Sequence, residues 1–155
     1  MFNIQIITLG KLKETYWKDA EAEYLKRLTP YAKITLTELK EEAFSSVNER
    51  ENIQKKEAEK ILKTAGDHPV IIALHERGKE MTSPELATLL EKKTEQGLPV
   101  TFVIGGPLGL HKSILEKAHL QLSLSQLTFP HNMVRTILLE QVYRSVMIGK
   151  GKYHY

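Results

Sequence analysis

Three short segments rich in β-branched and other apolar residues constrain the fold of this chain more than any other feature. They are residues 2–9, 69–74 and 100–104, and they end at a glycine or a histidine. The last two are apolar almost without interruption and show no alternation with polar residues. Strands of this kind are buried on both faces, which is typical of a parallel sheet covered by helices on both sides.

Segments with apolar residues at helical spacing separate these strands, and two further strands show alternation. Ser83 is the expected cap of one helix, with Pro84 at its first helical position and Gly97 at its end. The predicted helices cover residues 17–28, 48–64, 83–97, 113–119 and 133–148, and the alternating strands contain Ile34, Leu36, Leu120, Leu122 and Leu124. This order predicts one α/β domain over residues 1–155, with a largely parallel sheet and helices on both faces.

Composition excludes several classes of protein. The chain has no cysteine, which removes disulfides, thiolate zinc sites and cysteine nucleophiles. The histidines at 75, 111, 119 and 131 do not have the spacing of a helical metal site, so we expect no metal. No segment has 18 uninterrupted apolar residues and no leader peptide is evident, so we expect a cytoplasmic protein without a membrane span.

Three loops are candidate ligand sites, those after Leu74, Ile104 and Leu124, because parallel sheets bind ligands beyond the carboxyl ends of their strands. Residues 105–109, Gly-Gly-Pro-Leu-Gly, match neither the dinucleotide fingerprint nor the phosphate-binding loop. These glycines form either a plain turn or a surface where a ligand touches the backbone. Residues 125–131 follow the last strand and are either an ordinary connection or a ligand loop.

Basic and aromatic residues near the end of the chain suggest an anionic partner. Arg135, Arg144 and Lys150 precede the ending Lys-Tyr-His-Tyr, a mixture of charge and rings that suits single-stranded RNA. A frayed basic tail is the alternative. The net charge of +3 is compatible with such a partner without requiring it. The Lys and Glu residues of 48–63 are interpreted as the wet face of a helix.

Taken together, three segments resemble the ribosomal RNA large subunit methyltransferase H family: residues 102–110, residues 124–131, and Glu-Gln-Val-Tyr-Arg at 140–144. The resemblance covers the full length, from the opening Ile-Thr-Leu-Gly-Lys-Leu-Lys to Tyr153-His154. It implies a SPOUT-type α/β knot with a carboxyl-terminal trefoil knot, and a homodimer with its cofactor pocket near the interface. It also implies methyl transfer from S-adenosylmethionine to N3 of a pseudouridine in 23S ribosomal RNA.

Carried over by position, the resemblance also implies site residues. His154, Arg144 and Tyr153 would be catalytic, and the same three residues with Arg135 would contact the RNA. His154 would act as a base or a substrate clamp. The alternative for either arginine is a structural ion pair with an acidic residue such as Glu140. The implied cofactor-binding residues are Leu74, Gly105, Gly106, Ser125, Gln126, Leu127, Thr128, Phe129 and Pro130.

Two other functions stay open at this stage. A related knotted methyltransferase acting on transfer RNA or on another ribosomal position would carry similar loops. A non-catalytic ribosome-binding factor of the same fold is the second alternative. Because the net charge and the surface are small, we expect recognition of the assembled ribosome rather than of free RNA or an isolated subunit.

Overall fold

A five-stranded parallel sheet forms the centre of the structure, a computed structural model that describes residues 1–43 and 45–153. The strands lie in the order β2-β1-β4-β3-β5, and every neighbouring pair is parallel. Their bounds are β1 Phe2–Leu9, β2 Ala32–Leu39, β3 Val70–Glu80, β4 Val100–Ile104 and β5 Leu120–Ser123. The predicted parallel sheet is confirmed.

Helices cover both faces of this sheet. Their bounds are α1 Thr15–Leu28, α2 Arg50–Ala65, α3 Ser83–Glu95, α4 Lys112–Lys117 and α5 His131–Gly149, with a 3-10 turn at Val47–Glu49. On one face, Phe102 packs in a buried cluster with residues of α1, α3 and α5, such as Leu138. On the other face, Val103 packs with residues of α2 and α4, such as Ile61 and Ile114. The prediction of helices on both faces is therefore also confirmed.

The start of α3 differs by one residue from the sequence prediction, because the cap is Thr82 and not Ser83. The Thr82 hydroxyl accepts a hydrogen bond from the backbone N–H of Glu85 at 3.2 Å. The Glu85 carboxylate accepts one from the backbone N–H of Thr82 at 2.7 Å. This reciprocal capping box satisfies two amides of the first turn and makes Pro84 the second helical residue.

β3 continues six residues beyond the predicted end at Leu74, through a break in its pairing with β5. Leu74 and Lys79 both lie opposite Leu122, so residues 75–78 leave the ladder between them. We call these four residues the β3 excursion. A side chain at Gly78 would collide with the backbone of Gln121, so glycine permits the strand to return to the ladder here. Excursions of this kind redirect side chains out of the sheet.

Helix α5 packs on α1 and α3 and over the end of the sheet. Its buried side chains Leu138, Leu139 and Val142 lie on one side of the helix, and the buried Met147 lies on another. The large apolar side chains that are exposed in residues 1–43 and 45–153 all lie elsewhere, at Met1, Tyr16, Leu98 and Leu127. Met133, Ile137 and Ile148 of α5 are only half-buried, so part of its apolar surface is not covered within one chain.

Candidate functional site

A cavity of about 610 Å³ lies at the carboxyl edge of the sheet, between the β3 excursion and the loops that follow β4 and β5. Eight of the nine cofactor-binding residues predicted from the sequence line it. They are Leu74, Gly105, Gly106, Ser125, Leu127, Thr128, Phe129 and Pro130. The ninth, Gln126, lines an adjoining cavity of about 460 Å³, and Thr128 lines both. Parallel strands place their carboxyl ends side by side, which is why loops far apart in sequence meet here.

The two neighbouring glycines after β4 have different surroundings. A Cβ atom on Gly105 would lie 3.0 Å from the Leu110 side chain and 3.2 Å from the backbone of Gly109, closer than atoms normally pack. A Cβ on Gly106 would make only an ordinary contact, 3.5 Å from Leu9. Gly105 therefore lies in a tight part of the turn, whereas Gly106, which lines the cavity, has room for a Cβ atom.

Helix α2 fixes this glycine loop (residues 105–109) through one carbonyl. The backbone oxygen of Leu108 accepts hydrogen bonds from Nε and Nη2 of Arg50, at 3.1 and 2.9 Å, and from Nε2 of Gln54 at 2.6 Å. Gly109, at the end of the turn, has a positive φ of 80° and its N–H donates to Gly106 at 3.0 Å. The Lys and Glu residues of this helix were assigned to solvent, and no role was predicted for Arg50 or Gln54. Both of these side chains line the cavity.

His111 continues the loop into α4. It is 7% exposed, and its Nδ1 accepts a hydrogen bond from the backbone N–H of Ser113 at 3.1 Å. Its Nε2 therefore carries the proton and donates to Glu51 on α2 at 2.8 Å. This hydrogen bond lowers the pKa of the Glu51 carboxyl group. His111 thus joins α2 to α4 and supports the loop from its far end.

The β3 excursion forms a further wall of the cavity. His75, Glu76 and Arg77 all line it, and Arg77 and Glu76 also line the adjoining cavity. The hydroxyl of Thr128 donates to Oε2 of Glu76 at 2.5 Å, which ties the excursion to the loop between β5 and α5. The strand was expected to end at Leu74 and the loop after it was a candidate ligand site, but no individual role was assigned to these three side chains.

Arg135 lies in the interior and not on a surface that RNA can reach. It is 3% exposed, and its guanidinium makes two 2.8 Å hydrogen bonds to Glu21 and one of 2.8 Å to Glu38. Burial alone would lower its pKa, but the hydrogen bonds to the two carboxylates raise the pKa above its usual value. We therefore correct the sequence-based expectation of an RNA contact at Arg135: the structure makes it an interior ion pair.

Arg144 occupies a more open environment near the end of α5. Its guanidinium contacts Glu140 through Nη2 at 2.6 Å and Nε at 3.0 Å, and it lies 4.8 Å from the centre of the Tyr153 ring. The side chain is 23% exposed. The ion pair with Glu140 named as an alternative in the sequence analysis is present. His154 lies outside the described residues.

Two further findings bear on the class of protein. In the part of the chain that the structure describes, no three His, Asp or Glu side chains are grouped so that they could hold a metal ion. No helix in that part has both the length and the apolar character needed to cross a bilayer.

In a comparison with known protein families, a family model described as "Predicted SPOUT methyltransferase" matches residues 2–154.

Proposed function

The chain belongs to the SPOUT methyltransferase family, and from that premise we propose that it methylates N3 of a pseudouridine in 23S ribosomal RNA, using S-adenosylmethionine. The family itself supports methyl transfer to RNA with this cofactor. The finer assignment of the substrate rests on the resemblance of the sequence at residues 102–110, 124–131 and 140–144. The observation that carries the proposal is the cavity between the β3 excursion and the loops after β4 and β5.

The residues around this cavity fit S-adenosylmethionine. Its volume of about 610 Å³ lies within the range of small-molecule sites. Leu74, Leu110 and Leu122 supply apolar lining for the faces of an adenine ring, and the room beside Gly106 lets a flat group approach the backbone. The glycine loop and residues 125–130 would read the adenine edge through backbone N–H and C=O groups. When bound, the cofactor supplies an electrophilic methyl group on a sulfonium.

The reaction must also remove the proton on N3 of the pseudouridine. Methyl transfer needs an in-line approach of N3 and the loss of that proton. We assign His154 either as the base that accepts this proton, since an imidazole ionises near neutral pH, or as a substrate clamp, in which case the proton passes to water. Arg144, oriented by Glu140 and covered by the Tyr153 ring, would hold a phosphate or a uracil carbonyl through its planar guanidinium.

A second set of exposed residues supports contact with RNA at the carboxyl edge of the sheet, where the cavity lies. Lys11 and Lys13 are exposed on the loop after β1, and Tyr16 next to them is 65% exposed. This loop follows Leu9, the last residue of β1, which lies beside Gly106 of the glycine loop. Lysines hold phosphate groups and an exposed ring stacks on a base, so this surface suits a nucleic acid that enters the cavity from this side.

We also propose that the chain acts as a homodimer on the assembled ribosome. A SPOUT pocket that lies near a subunit interface would place the Arg144 and Tyr153 pair of one subunit near the cavity of the other. Sedimentation at micromolar protein tests the dimer, and a monomer at that concentration would rule it out.

Methyl transfer from labelled cofactor tests the function directly. Assembled ribosomes, isolated subunits, free ribosomal RNA and transfer RNA are offered side by side, and the modified nucleotide is then mapped. We expect label in 23S RNA, at a pseudouridine, with assembled ribosomes as the best substrate. Label in transfer RNA or at another ribosomal position would favour the related-methyltransferase alternative. A protein that binds ribosomes but shows no heat of binding with S-adenosylmethionine would be the non-catalytic factor.

A further inference from the structure

We propose that Glu76 and Arg77, in the β3 excursion, hold the amino-acid end of S-adenosylmethionine. In this arrangement the Glu76 carboxylate contacts the ammonium group of the cofactor and the Arg77 guanidinium contacts its carboxylate. The inference rests on the proposed function, since it takes that cofactor as the ligand. It adds charged side-chain contacts to a site that is otherwise formed by backbone and apolar groups.

The excursion places both side chains where the cofactor cavity meets the adjoining cavity. Glu76 and Arg77 line the two cavities, and Thr128 is the third residue they share. The adenosine end fits among the leucines and glycines of the larger cavity. A ligand with a flexible charged end extends from there into the adjoining one, which is lined by polar and charged residues such as Glu80 and Gln126.

Charge selects Glu76 as the partner of the ammonium group. Among the described residues that line the cofactor cavity, Glu76 carries the only carboxylate. S-adenosylmethionine brings two positive centres, the ammonium and the sulfonium, and a cation removed from water needs an anionic or strongly polar partner. The other ionisable side chains that line this cavity are two arginines and two histidines, Arg50, Arg77, His75 and His131.

Glu76 is also positioned to receive such a group. Thr128 donates to its Oε2, and Ser123 Oγ lies 3.0 Å from its backbone oxygen, so two neighbouring segments fix the residue. Within residues 1–43 and 45–153, no hydrogen bond to Oε1 of Glu76 is present, and that oxygen can accept one from a ligand. A carboxylate fixed before binding loses less conformational entropy when the ligand arrives.

The two arginines at the cavity differ in how they are engaged. Arg50 donates through Nε and Nη2 to the Leu108 carbonyl and so holds the glycine loop. Arg77 follows Glu76 directly, and its guanidinium makes no hydrogen bond or ion pair with the described residues. An adjacent anion and cation are complementary to the zwitterionic end of an amino acid, because a guanidinium binds a carboxylate with two parallel hydrogen bonds.

Two ligands without net charge can distinguish contacts to the amino-acid end of the cofactor from contacts to its adenosine end. S-adenosylhomocysteine keeps the ammonium and the carboxylate but lacks the sulfonium charge, and 5′-methylthioadenosine lacks the whole amino-acid end. We expect Glu76→Gln and Arg77→Met each to weaken S-adenosylhomocysteine about tenfold in calorimetry, the loss of one charge-assisted hydrogen bond. Binding of 5′-methylthioadenosine should stay unchanged. Glutamine keeps the acceptor for Thr128, so the excursion stays tied to its neighbour.

Glu116→Gln is the matched control, because it makes the same change of charge at an exposed residue of α4 that lines neither cavity. It should leave both affinities unchanged. Equal weakening of both ligands by Glu76→Gln would mean that the residue only shapes the adenosine site, and the proposal would be wrong. If Glu76→Gln left the affinity for S-adenosylhomocysteine unchanged but reduced methyl transfer, the excursion would contact the target nucleotide instead. That result would also overturn the proposal. A wild-type protein that binds neither ligand would refute the proposed function itself.

Discussion

The loops around the cavity and helix α5 would serve the same reaction through different parts of the chain. Around the cavity, the contacts expected for the adenosine end of the cofactor are backbone groups of the glycine loop, which Arg50 and Gln54 hold in place. On α5 and just after it, the contacts are charged and aromatic side chains. Within α5 the first arginine, Arg135, is buried and the second, Arg144, is partly exposed. Adding atoms beside the glycine loop should therefore disturb binding of the adenosine end, and removing charge from α5 should disturb the functions of that helix.

The largest effect is expected at Arg135. Arg135→Met would leave the Glu21 and Glu38 carboxylates without their partner, and breaking a buried ion pair in this way costs about 3–5 kcal/mol. Chemical denaturation should show this loss of unfolding free energy. Combining the change with Glu21→Gln and Glu38→Gln should restore most of the stability, because the uncompensated charges are then gone. A loss below about 1 kcal/mol, the value of a surface pair, would contradict the interior role.

Gly106→Val should affect ligand binding with little effect on folding. The added atoms meet only Leu9 at an ordinary distance within the protein, so the free energy of unfolding should change little. On the cavity side they would occupy the space expected for the cofactor, and we expect its affinity to fall about 100-fold or more, which is about 2.7 kcal/mol. Gly105→Ala is the matched contrast, since it should destabilise the turn. Unchanged cofactor affinity in the valine variant would show that the pocket is wrongly placed.

Arg144→Ala should separate catalysis from cofactor binding. Loss of its contact to RNA should lower methyl transfer to ribosomes about 10- to 100-fold, as expected for one hydrogen bond to a charged group. Cofactor affinity in calorimetry should stay the same. Deletion of residues 153–155 should act in the same direction. For His154→Ala, partial recovery of activity at higher pH would indicate a base, and no recovery a clamp. Full activity of the truncated chain at neutral pH would contradict the role of this segment.

The smallest effect is expected for Arg50→Met. This change removes two of the three hydrogen bonds to Leu108 and leaves Gln54, so the glycine loop should loosen without unfolding. Cofactor affinity should fall about three- to tenfold, or about 1 kcal/mol, because the lost hydrogen bonds act on the cofactor only through the loop. Lys55→Met on the same helix, whose side chain lies outside the cavity, is the control. Equal affinity of the Arg50 variant and the control would mean that the glycine loop keeps its shape without α2.

The sequence predicted the strands and the place of the cavity because both depend on local patterns. β1, β4 and the first part of β3 are apolar runs, and the site follows from the rule that parallel strands end at a common edge. The contacts that fix the site have no such pattern. Leu108 lies 58 residues from Arg50, and Glu21 lies 114 residues from Arg135, so neither pair is visible as a spacing.

The β3 excursion was missed for a different reason. His75, Glu76 and Arg77 are polar and two of them are exposed, so they resemble the start of a loop. Their return to the sheet depends on Gly78 and on pairing of Lys79 with β5. The knot, the cofactor and the methylated base come from the resemblance to a family, since no periodicity encodes a threaded chain or a ligand.

The order of the strands also has a consequence for how the protein is made. β3 pairs only with β4 and β5, which are both synthesised after it, so no partner is available while β3 leaves the ribosome. The residues that close the cavity, 125–130 and the first turn of α5, come later still. During synthesis the early strands can begin to associate before the ligand site exists. Ligand binding by a nascent or truncated chain would therefore report that its carboxyl-terminal part has been made and folded in place.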